Sequence, residues 1–475
     1  MLLRRFYHDG LAQASYMVGC QASHEAIIID PNRRVEQYIE AAYKEGLRIT
    51  GVTETHIHAD FVSGARELAQ RTGAHLYLSD EGPSDWKYAF ATSAGATMLH
   101  DGDTIQVGGV RLQVVHTPGH TPEHISFLLT DTRSSDRPMG MFTGDFVFVG
   151  DVGRPDLLER AAGIKGTMES GARSLYASLQ RFKELPDYLQ VWPAHGAGSA
   201  CGRALGAVPQ STTGYEKLTN WALQVSSEEE FVQEVLRGQP EPPPYFAHMK
   251  RINKEGPGPP PQHRVPMQVP CDLRLRLAGR MTIVDVRRAA QYAAGHLPGT
   301  INIPRGGDFL IWAGWLLPYD KPLGLIVNDE ELAAVTAELQ MIGLDNVSAF
   351  WPPSALKASL PSKSTRPEHQ CGRFKRQSAS DLQALIEKHD LVLLDVRTAE
   401  EHGAGHIPGS RNVPLAHLEE HIREIPRREQ VVVYCAAGSR SPIAASILQG
   451  HGWENVVEMY DGFDAWQRGG YPVEK

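Results

Sequence analysis

The chain has 475 residues, which at roughly 150 residues per domain predicts about three domains. Hydrophobic residues make up 41% and charged residues 22%, and this globular composition excludes a disordered or collagen-like chain. The formal net charge of −9 disfavours nucleic acid as a partner, and no apolar run is long enough for a membrane helix. Five scattered cysteines and the absence of an N-terminal apolar region predict a cytoplasmic protein with free thiols, and we also expect a homo-oligomer.

The first 245 residues alternate short strand patterns with helical patterns, as α/β domains do. β-branched apolar runs predict strands at 26–30, 47–52 and 110–115. Residues 33–45 predict a helix, and residues 226–237, with an acidic first turn and a glycine behind them, predict a closing helix. We therefore predict one domain over residues 1–245.

Metal-binding side chains follow the strand patterns of this domain at four places. The three later places, at His120, Asp145 and His195, are flanked by Gly or Pro, which let the backbone turn tightly. Four such turns within a span of 140 residues favour a shared cation over isolated core histidines. The candidate ligands are His56, His58, Asp60, His120, Asp145 and His195.

These residues stand in motifs that resemble those of the metallo-β-lactamase superfamily: HxHxD at 56–60, PGHT at 118–121, TGD at 143–145 and PAH at 193–195. The resemblance implies an αββα sandwich. In the two-metal hydrolases of the superfamily, such as glyoxalase II, the first motif ends in a His that binds the second metal. Here that position is Phe61, which has no lone pair to donate, so we expect the second metal site to be weak or empty.

Without a second metal, His56, His120 and Asp145 remain for one ion, and two His with one carboxylate is the ligand set of non-haem Fe(II) oxygenases. This set, together with the GRPD sequence at 153–156, resembles the persulfide dioxygenases. The resemblance implies one Fe(II) per chain, with zinc as the alternative metal in purified protein, and a small-molecule persulfide that reacts with O2 and water to give thiol and sulfite. The groups implied to orient ligands and substrate are His58, Asp60, Arg154 and His195.

The segment that follows the last motif departs from the glutathione-persulfide branch, which has a Tyr soon after this His. Residues 196–202 read GAGSACG, which predicts a smaller-walled pocket that carries the thiol of Cys201. A sulfur relay through Cys201 and a simple pocket-lining role both stay open. The carrier thiol of the substrate, whether coenzyme A, glutathione, bacillithiol or a protein, also stays open.

Two joints and an internal repeat organise the rest of the chain. Proline-rich residues between 240 and 261 predict an extended linker over 246–262. The sequence IVDVR at 283–287 returns as LLDVR at 393–397, and GHLPG at 295–299 returns as GHIPG at 405–409. The common offset of 110 residues indicates a duplication. We predict two α/β domains, 263–358 and 373–475, joined by a second linker at 359–372.

The second copy contains a loop suited to sulfur chemistry. A strand at 431–434 leads into Cys435, a run of small residues and a helix from about residue 442, so backbone N–H groups converge on the thiol and favour an anion there. Arg440 adds a fixed cation. The pattern resembles the rhodanese family, whose CxxGxR loop carries sulfur as a Cys persulfide. The resemblance implies that Cys435 and Arg440 are catalytic and that the anion loop consists of Ala436, Ala437, Gly438, Ser439 and Ser441.

The first copy has NDEE at 328–331 where the second has this loop, and it lacks both Cys and Arg. Its carboxylates would repel thiosulfate or sulfite, so we interpret 263–358 as an inactive rhodanese-like domain that serves as a spacer, docking surface or dimer element.

The domain order resembles the persulfide dioxygenase–rhodanese fusions of bacterial sulfide detoxification. This implies that Cys435 transfers sulfur between sulfite and thiosulfate, in a direction that the sequence leaves open. The alternative is a binuclear zinc hydrolase of the glyoxalase II type, cleaving a thioester and fused to a sulfurtransferase. Such a hydrolase usually needs two metals, and Phe61 argues against that.

Overall fold

The structure is a computed structural model that describes residues 1–163, 166–203, 205–262, 265–279, 281–358, 371–386, 391–427 and 429–475. It divides into two compact units: Met1–Pro261 with Leu339–Gly343, and Gln262–Glu338 with Leu344–Lys475. Most of the second predicted linker, residues 359–370, lies outside the described residues. Within the described residues, no helix has the length and apolar character that a membrane span requires.

The first unit contains two six-stranded sheets. The strands of the first sheet are β1 (Leu2–His8), β2 (Gln13–Cys20), β3 (Glu25–Ile29), β4 (Arg48–Thr53), β5 (His75–Ser79) and β6 (Thr97–Leu99). They lie side by side in chain order, antiparallel from β1 to β3 and parallel from β3 to β6.

The second sheet is mostly antiparallel. Its strands are β7 (Thr104–Val107), β8 (Val110–His116), β9 (Ile125–Asp131), β10 (Gly140–Gly144), β11 (Gln190–Pro193) and β12 (Ser211–Thr212). Their spatial order is β12-β11-β10-β9-β8-β7, and only β10 and β11 pair in parallel.

Helices cover the outer faces of both sheets. They are α1 (Glu36–Lys44), α2 (Ala65–Thr72), α3 (Leu157–Ala162), α4 (Thr167–Lys183), α5 (Thr213–Thr219), α6 (Trp221–Gln224), α7 (Glu228–Leu236) and α8 (Tyr245–Glu255). Helices α1 and α2 pack on the first sheet, and α4 and α7 pack on the second. Between the sheets lies a core that includes Ile27 of β3 and Phe127 of β9. The arrangement is the predicted αββα sandwich, because each sheet buries one apolar face against the other and one against helices.

Helix α8 corrects the predicted linker. We predicted an extended course over 246–262, but Tyr245–Glu255 is helical, and the chain becomes irregular only from Gly256. The prolines at 242–244 stand before the helix, with Pro244 as its N-cap, and proline is tolerated at that end because no helical N–H is lost there. Buried Phe246 and Met249 hold the helix against the protein.

The second unit contains two parallel sheets. The first has the order β14-β13-β15-β16 and the second β17-β21-β20-β18-β19 when strands are numbered along the chain. The strands are β13 (Thr282–Asp285), β14 (Ile301–Asn302), β15 (Leu323–Ile326), β16 (Val347–Trp351), β17 (Lys375–Gln377), β18 (Val392–Asp395), β19 (Arg411–Asn412), β20 (Val431–Tyr434) and β21 (Val456–Met459). The helices after α8 are α9 (Pro270–Ala278), α10 (Ala289–Ala294), α11 (Phe309–Leu316), α12 (Asp329–Met341), α13 (Ala355–Ala358), α14 (Ala379–Ile386), α15 (Ala399–Ala404), α16 (Leu418–His421), α17 (Ser441–Gly450) and α18 (Gly462–Arg468).

The repeated DVR and GHxPG sequences build the same ion pair in both copies, buried in the second copy and with a partly exposed arginine in the first. Arg287 donates to Asp285 and Arg397 donates to Asp395, each with a shortest distance of 2.6 Å. The same arginine donates to the carbonyl oxygen of the first glycine of GHxPG, at 3.0 Å in the first copy and 2.8 Å in the second. This pair therefore ties the end of β13 or β18 to the turn that follows α10 or α15.

Asp395→Ala should lower the free energy of unfolding of the second unit by about 3–5 kcal/mol, because it leaves the buried Arg397 guanidinium without its counter-charge. Urea unfolding followed by tryptophan fluorescence would measure the loss. The exposed neighbour Glu400 provides a control, since Glu400→Ala removes a carboxylate from the surface and should cost less than about 0.5 kcal/mol. Equal effects of the two substitutions would contradict a structural role for the pair.

Candidate functional site

His56, His120 and Asp145 converge on one point of the first unit. They follow β4, β8 and β10 respectively, and all three are buried. The Nε2 atoms of His56 and His120 lie 3.7 and 3.5 Å from the Oδ2 atom of Asp145. Two ligands about 2.1 Å from one metal ion lie roughly 3.0–3.6 Å apart, so these atoms are spaced to share a metal.

The second ring nitrogen of each histidine is fixed by a hydrogen bond. His120 Nδ1 donates to the carbonyl oxygen of Arg154 at 3.1 Å. His56 Nδ1 donates to the Thr55 hydroxyl at 2.9 Å, and that hydroxyl in turn donates to Asp30 at 3.0 Å. These bonds place the proton on Nδ1 and leave the Nε2 lone pair of each ring for a metal.

Burial prepares both histidines for metal binding. The Nε2 atoms of His56 and His120 have no hydrogen-bond partner among the described residues. Burial lowers the pKa of both imidazoles well below the ordinary range, so both are neutral. A neutral imidazole with a buried lone pair and no hydrogen-bond partner is suited to bind a metal ion, and the residues present therefore fit a metal.

His58 is turned away from this group. Its Nε2 lies 3.2 Å from Asp30 Oδ1 and 4.0 Å from Glu54 Oε1. Burial lowers the pKa of His58, but Asp30 and Glu54 raise it more strongly, to about 9. His58 is thus a protonated partner of Asp30, with its ring 4.3 Å from that of His56, and its supporting role stays a prediction.

A second group of ligand atoms lies beside the first. It consists of Asp60, His195 and Cys201, all buried, with their ligand atoms within 4.8 Å of one another. His195 Nε2 is 3.5 Å from Asp60 Oδ2 and 3.4 Å from Asp145 Oδ1. Neither oxygen of Asp60 nor Nε2 of His195 has a hydrogen-bond partner in the described part of the chain. Phe61, at the position of the missing His, stacks against His58 with a ring separation of 4.4 Å.

The thiol of Cys201 faces this second group. Burial raises the pKa of the thiol well above its ordinary range, and the carboxylates of Asp60 and Asp145 raise it further, so the group is a neutral thiol when no cation is near. Cys201 therefore lies beside Asp60 and His195 and offers a soft donor that the motif analysis did not count as a ligand, while a sulfur relay or a pocket-lining role for it stays a prediction.

Arg154 does not face the ligand atoms. Its guanidinium donates to Asp156 at 3.0 and 2.7 Å, to the carbonyl oxygen of Ala200 at 3.1 Å and to that of Pro240 at 2.6 Å. Through Ala200 it fixes the chain next to Cys201, and through its own carbonyl oxygen it orients His120. The orienting role of Arg154 therefore stays a prediction, and the groups that it would orient are Ala200 and His120 rather than the substrate.

Helix α8 contributes residues to the site that the sequence analysis missed. Asn253 donates to the carbonyl oxygens of His58 and Phe61 at 2.9 and 2.7 Å, and accepts from the Ser63 N–H at 2.9 Å. It thereby fixes the loop that carries Asp60. The apolar residues at 245, 246, 249 and 252 have helical spacing, and this signal could have revealed α8 despite the prolines around it.

In the second unit, Cys435 follows β20 and is fully buried. Its Sγ accepts a hydrogen bond from the Gly438 N–H at 3.1 Å. The carbonyl oxygens of Cys435 and Ala436 are bound by the N–H groups of Phe463 and Asp464, at 2.7 and 3.0 Å. Since the carbonyl groups point away toward α18, the N–H groups of the loop are available to an anion on the sulfur.

Gly438 allows the loop to close. Its φ of +88° is in the left-handed region, and a Cβ atom there would lie 2.0 Å from the carbonyl oxygen of Tyr460. Gly438 and Ser439 also line a cleft of about 300 Å³ within the second unit. The other wall of the cleft belongs to the first copy of the repeat and includes Arg288 and Trp312.

Arg440 is held by Glu401. Its guanidinium makes two hydrogen bonds to that carboxylate, at 2.6 and 2.7 Å, at the N-terminus of α17. Glu401 belongs to the capping box of α15, so Arg440 is fixed to a neighbouring helix. In the first copy of the repeat, α12 begins at Asp329 only three residues after β15 ends, which leaves no room for an anion loop.

Comparisons with known proteins agree with this geometry. Residues 8–195 match the family model of the metallo-beta-lactamase superfamily, and residues 272–349 and 378–469 match that of the rhodanese-like domain. A solved structure of a metallo-beta-lactamase from Staphylococcus aureus subsp. aureus COL is 43% identical, with a TM-score of 0.68, over 74% of this chain and 99% of that chain. The chain belongs to the metallo-beta-lactamase superfamily. These matches confirm the predicted family resemblance and the predicted fold class.

Curated relatives of this superfamily member include two kinds of enzyme. "Persulfide dioxygenase ETHE1, mitochondrial" from Bos taurus is 29% identical over 200 residues, which are 41% of this chain and 68% of the relative. A hydroxyacylglutathione hydrolase from Gloeobacter violaceus is 33% identical over 179 residues, which are 37% of this chain and 60% of the relative. The domain content of the chain matches an ETHE1–rhodanese fusion.

Proposed function

We propose that the first unit is a non-haem iron persulfide dioxygenase. Its reaction would be R–S–SH + O2 + H2O → R–SH + SO3²⁻ + 2 H⁺, in which the terminal sulfur is oxidised and O2 is reduced. The observation that carries the proposal is the arrangement of His56, His120 and Asp145, whose free ligand atoms converge while Asp30 holds His58 away. Two His and one carboxylate leave coordination positions open for both a sulfur anion and O2.

The residues of the site would hold and shield the reactants. When bound, Fe(II) would supply the capacity to activate O2 beside a bound sulfur anion. The chain supplies the orientation: Thr55 and the Arg154 carbonyl oxygen fix the two imidazoles, and Asn253 fixes the loop of Asp60. Because all these groups are buried, the pocket keeps water away from the reacting sulfur.

The second unit would then carry sulfur on Cys435. A sulfur atom on this thiol would lie among the N–H groups of the loop, and sulfite would accept it to give thiosulfate, or thiosulfate would donate it in the reverse step. The cleft lined by Gly438 and Arg288 supports access for a small anion. The role of the inactive copy would then be to form one wall of this site. The proposed partners are a low-molecular-weight persulfide, O2, sulfite and thiosulfate. They would belong to a pathway that removes sulfide. A cytoplasmic location and a homo-oligomer stay predictions.

Metal analysis combined with oxygen uptake tests the proposal. Protein produced in iron-supplemented medium should contain about one iron per chain and should consume O2 when glutathione persulfide or coenzyme A persulfide is added, with sulfite or thiosulfate appearing. Two zinc ions per chain, no O2 uptake and cleavage of a glutathione thioester would overturn it.

The group of Asp60, His195 and Cys201 favours a second candidate, a binuclear hydrolase. Together with Asp145, whose Oδ1 lies 3.4 Å from His195 Nε2, it offers two carboxylates, an imidazole and a thiol, a set that would suit zinc. In such an enzyme the metals would activate water for thioester cleavage, as the name of the hydroxyacylglutathione hydrolase relative suggests for that protein. Phe61 still removes the His that the two-metal hydrolases use at this position.

Cys201→Ser separates the two candidates. In a one-iron dioxygenase the metal content should stay at about one per chain, because none of the three proposed iron ligands changes. In a binuclear hydrolase it should fall from about two to about one, since a hydroxyl is a much poorer zinc ligand than a thiolate. Inductively coupled plasma mass spectrometry of both proteins gives the answer, with exposed Ser170→Ala as the control.

A further inference from the structure

Helix α8 buries an ammonium group that the proposed mechanism leaves unused. Lys250 is 2% exposed, and its Nζ has no hydrogen-bond or ion-pair partner among the described residues. Its Nζ lies over the ring of Trp86, 5.6 Å from the ring centroid. An ammonium is among the most unfavourable groups to bury alone, so a protein retains one where something of opposite charge joins it.

Helix α8 ties Lys250 to the candidate metal centre. Asn253, three residues further along the helix, donates to the carbonyl oxygens of His58 and Phe61 at 2.9 and 2.7 Å, so the helix is bound to the loop that follows His56. Burial lowers the pKa of Lys250 to about 8, although the carboxylates of Glu123 and Asp145 act in the opposite direction. The ammonium group is therefore still mostly charged at neutral pH.

The surroundings of Lys250 are also rich in unused donors. The indole N–H of Trp86 and the hydroxyl of Tyr88 are buried and have no hydrogen-bond partner within the described residues. The segment that carries them packs on α8, since the Ala89 N–H donates to the carbonyl oxygen of Lys254 at 2.9 Å. Unpaired donors on a segment that packs against the helix of a buried cation suit an anion that has several acceptor atoms.

We propose that Lys250 binds the anionic head of the substrate and product at this site: the terminal sulfur anion of the persulfide, and the sulfite that forms from it. The inference rests on the proposed dioxygenase function. Sulfite has three acceptor oxygens where the persulfide has one sulfur, so the ammonium binds the oxidised group more strongly than the reduced one. An interaction that grows as charge spreads onto oxygen favours the reaction as well as binding.

Neutralisation of Glu123 is the competing explanation of Lys250. Glu123 is buried, accepts from the Ile57 N–H at 2.8 Å through Oε1, and has no hydrogen-bond partner on Oε2 in the described part of the protein. If Lys250 served only to balance this carboxylate, its removal would leave an uncompensated buried charge and would destabilise the fold. An anion-binding lysine behaves in the opposite way, because removing an unpaired buried ammonium relieves an unfavourable group.

The test compares Lys250→Gln and Lys250→Arg with Lys254→Gln in the full iron-loaded chain. Lys254 is a matched control: it lies on the same helix and over the same Trp86 ring, at 5.1 Å, but it is less buried and donates to the carbonyl oxygen of Asp85. All proteins also carry Cys435→Ser, so that no persulfide forms at position 435 and converts the added sulfite to thiosulfate. Sodium sulfite is titrated anaerobically by calorimetry, and KM and kcat for glutathione persulfide are measured by O2 uptake.

Lys250→Gln should weaken sulfite binding by about 10- to 100-fold and raise KM by about the same factor, with unchanged iron content. Lys250→Arg should recover most of the lost sulfite affinity. Lys254→Gln should have the sulfite affinity and KM of the parent. Parent-like sulfite binding and KM in Lys250→Gln would overturn the inference while leaving the dioxygenase in place. A parent without O2 uptake would overturn the proposed function, and the sulfite titration would still decide for or against Lys250.

Thermal unfolding of metal-free Lys250→Met covers the case in which Lys250→Gln does not fold. Methionine has a similar length and no charge, so an unpaired ammonium predicts a Tm equal to or above that of the parent. A clearly lower Tm would assign Lys250 to Glu123 and overturn the inference.

Discussion

His120→Ala should yield a protein that contains little iron and shows no persulfide-dependent O2 uptake, yet keeps its thiosulfate sulfurtransferase activity. The substitution removes one of three convergent donors, and His56 and Asp145 alone do not hold a divalent ion at micromolar concentration. The loss of the metal contribution should lower O2 uptake on the order of 1000-fold, which corresponds to about 4 kcal/mol. Iron content by mass spectrometry and oxygen uptake with glutathione persulfide measure the two effects.

A surface histidine provides the control for this substitution. His75 lies on β5 and is exposed, so His75→Ala should leave both iron content and O2 uptake at the parent level. If His120→Ala retained its iron and its full O2 uptake, the assigned ligand set would be wrong. The iron ligands would then be sought in the neighbouring group of Asp60, His195 and Cys201.

The convergence of the ligands was predictable because it depends on strand ends. His56, His120 and Asp145 each follow a strand of predictable apolar character, and parallel or neighbouring strands deliver their ends to one edge of a sandwich. The same reasoning identified the Cys435 loop, since a thiol between a buried strand and a helix has few places to lie.

Helix α8 could not be predicted with the same rules because two of them conflict there. Prolines at 242–244 and 257–261 bracket the segment and indicate an extended chain, whereas the apolar spacing inside it indicates a helix. Proline ends a helix but does not prevent one from starting just behind it. The prediction gave the composition more weight than the periodicity, and so it missed both Asn253 and Lys250.

The direction of individual side chains was also beyond sequence reasoning. Arg154 follows the TGD motif closely, but Asp156 captures its guanidinium and turns it away from the ligands. Arg440 belongs to the sulfur-transfer loop, but Glu401 binds it from a helix that is 39 residues away in sequence. Such pairs depend on tertiary neighbours, and a motif shows only which residue types are present.

Cys435→Ser should abolish thiosulfate–cyanide sulfur transfer and leave persulfide-dependent O2 uptake unchanged. A hydroxyl does not accept sulfur to form a persulfide, so the loss should reach the uncatalysed background, on the order of 1000-fold or more. Cys371→Ser is the matched control, since Cys371 is another free thiol of the second unit but lies outside the loop, with its Sγ near the carbonyl oxygen of His296.

The products of the Cys435→Ser protein show how the two activities depend on each other. If the first unit makes sulfite and Cys435 converts it, the variant should release sulfite from glutathione persulfide where the parent releases thiosulfate, because the loop at position 435 then has no thiol to carry the second sulfur atom. Chromatography of bimane-labelled products distinguishes the two anions. Loss of O2 uptake together with sulfur transfer would contradict this division of labour, because it would mean that the sulfur reaches the metal centre only by way of Cys435.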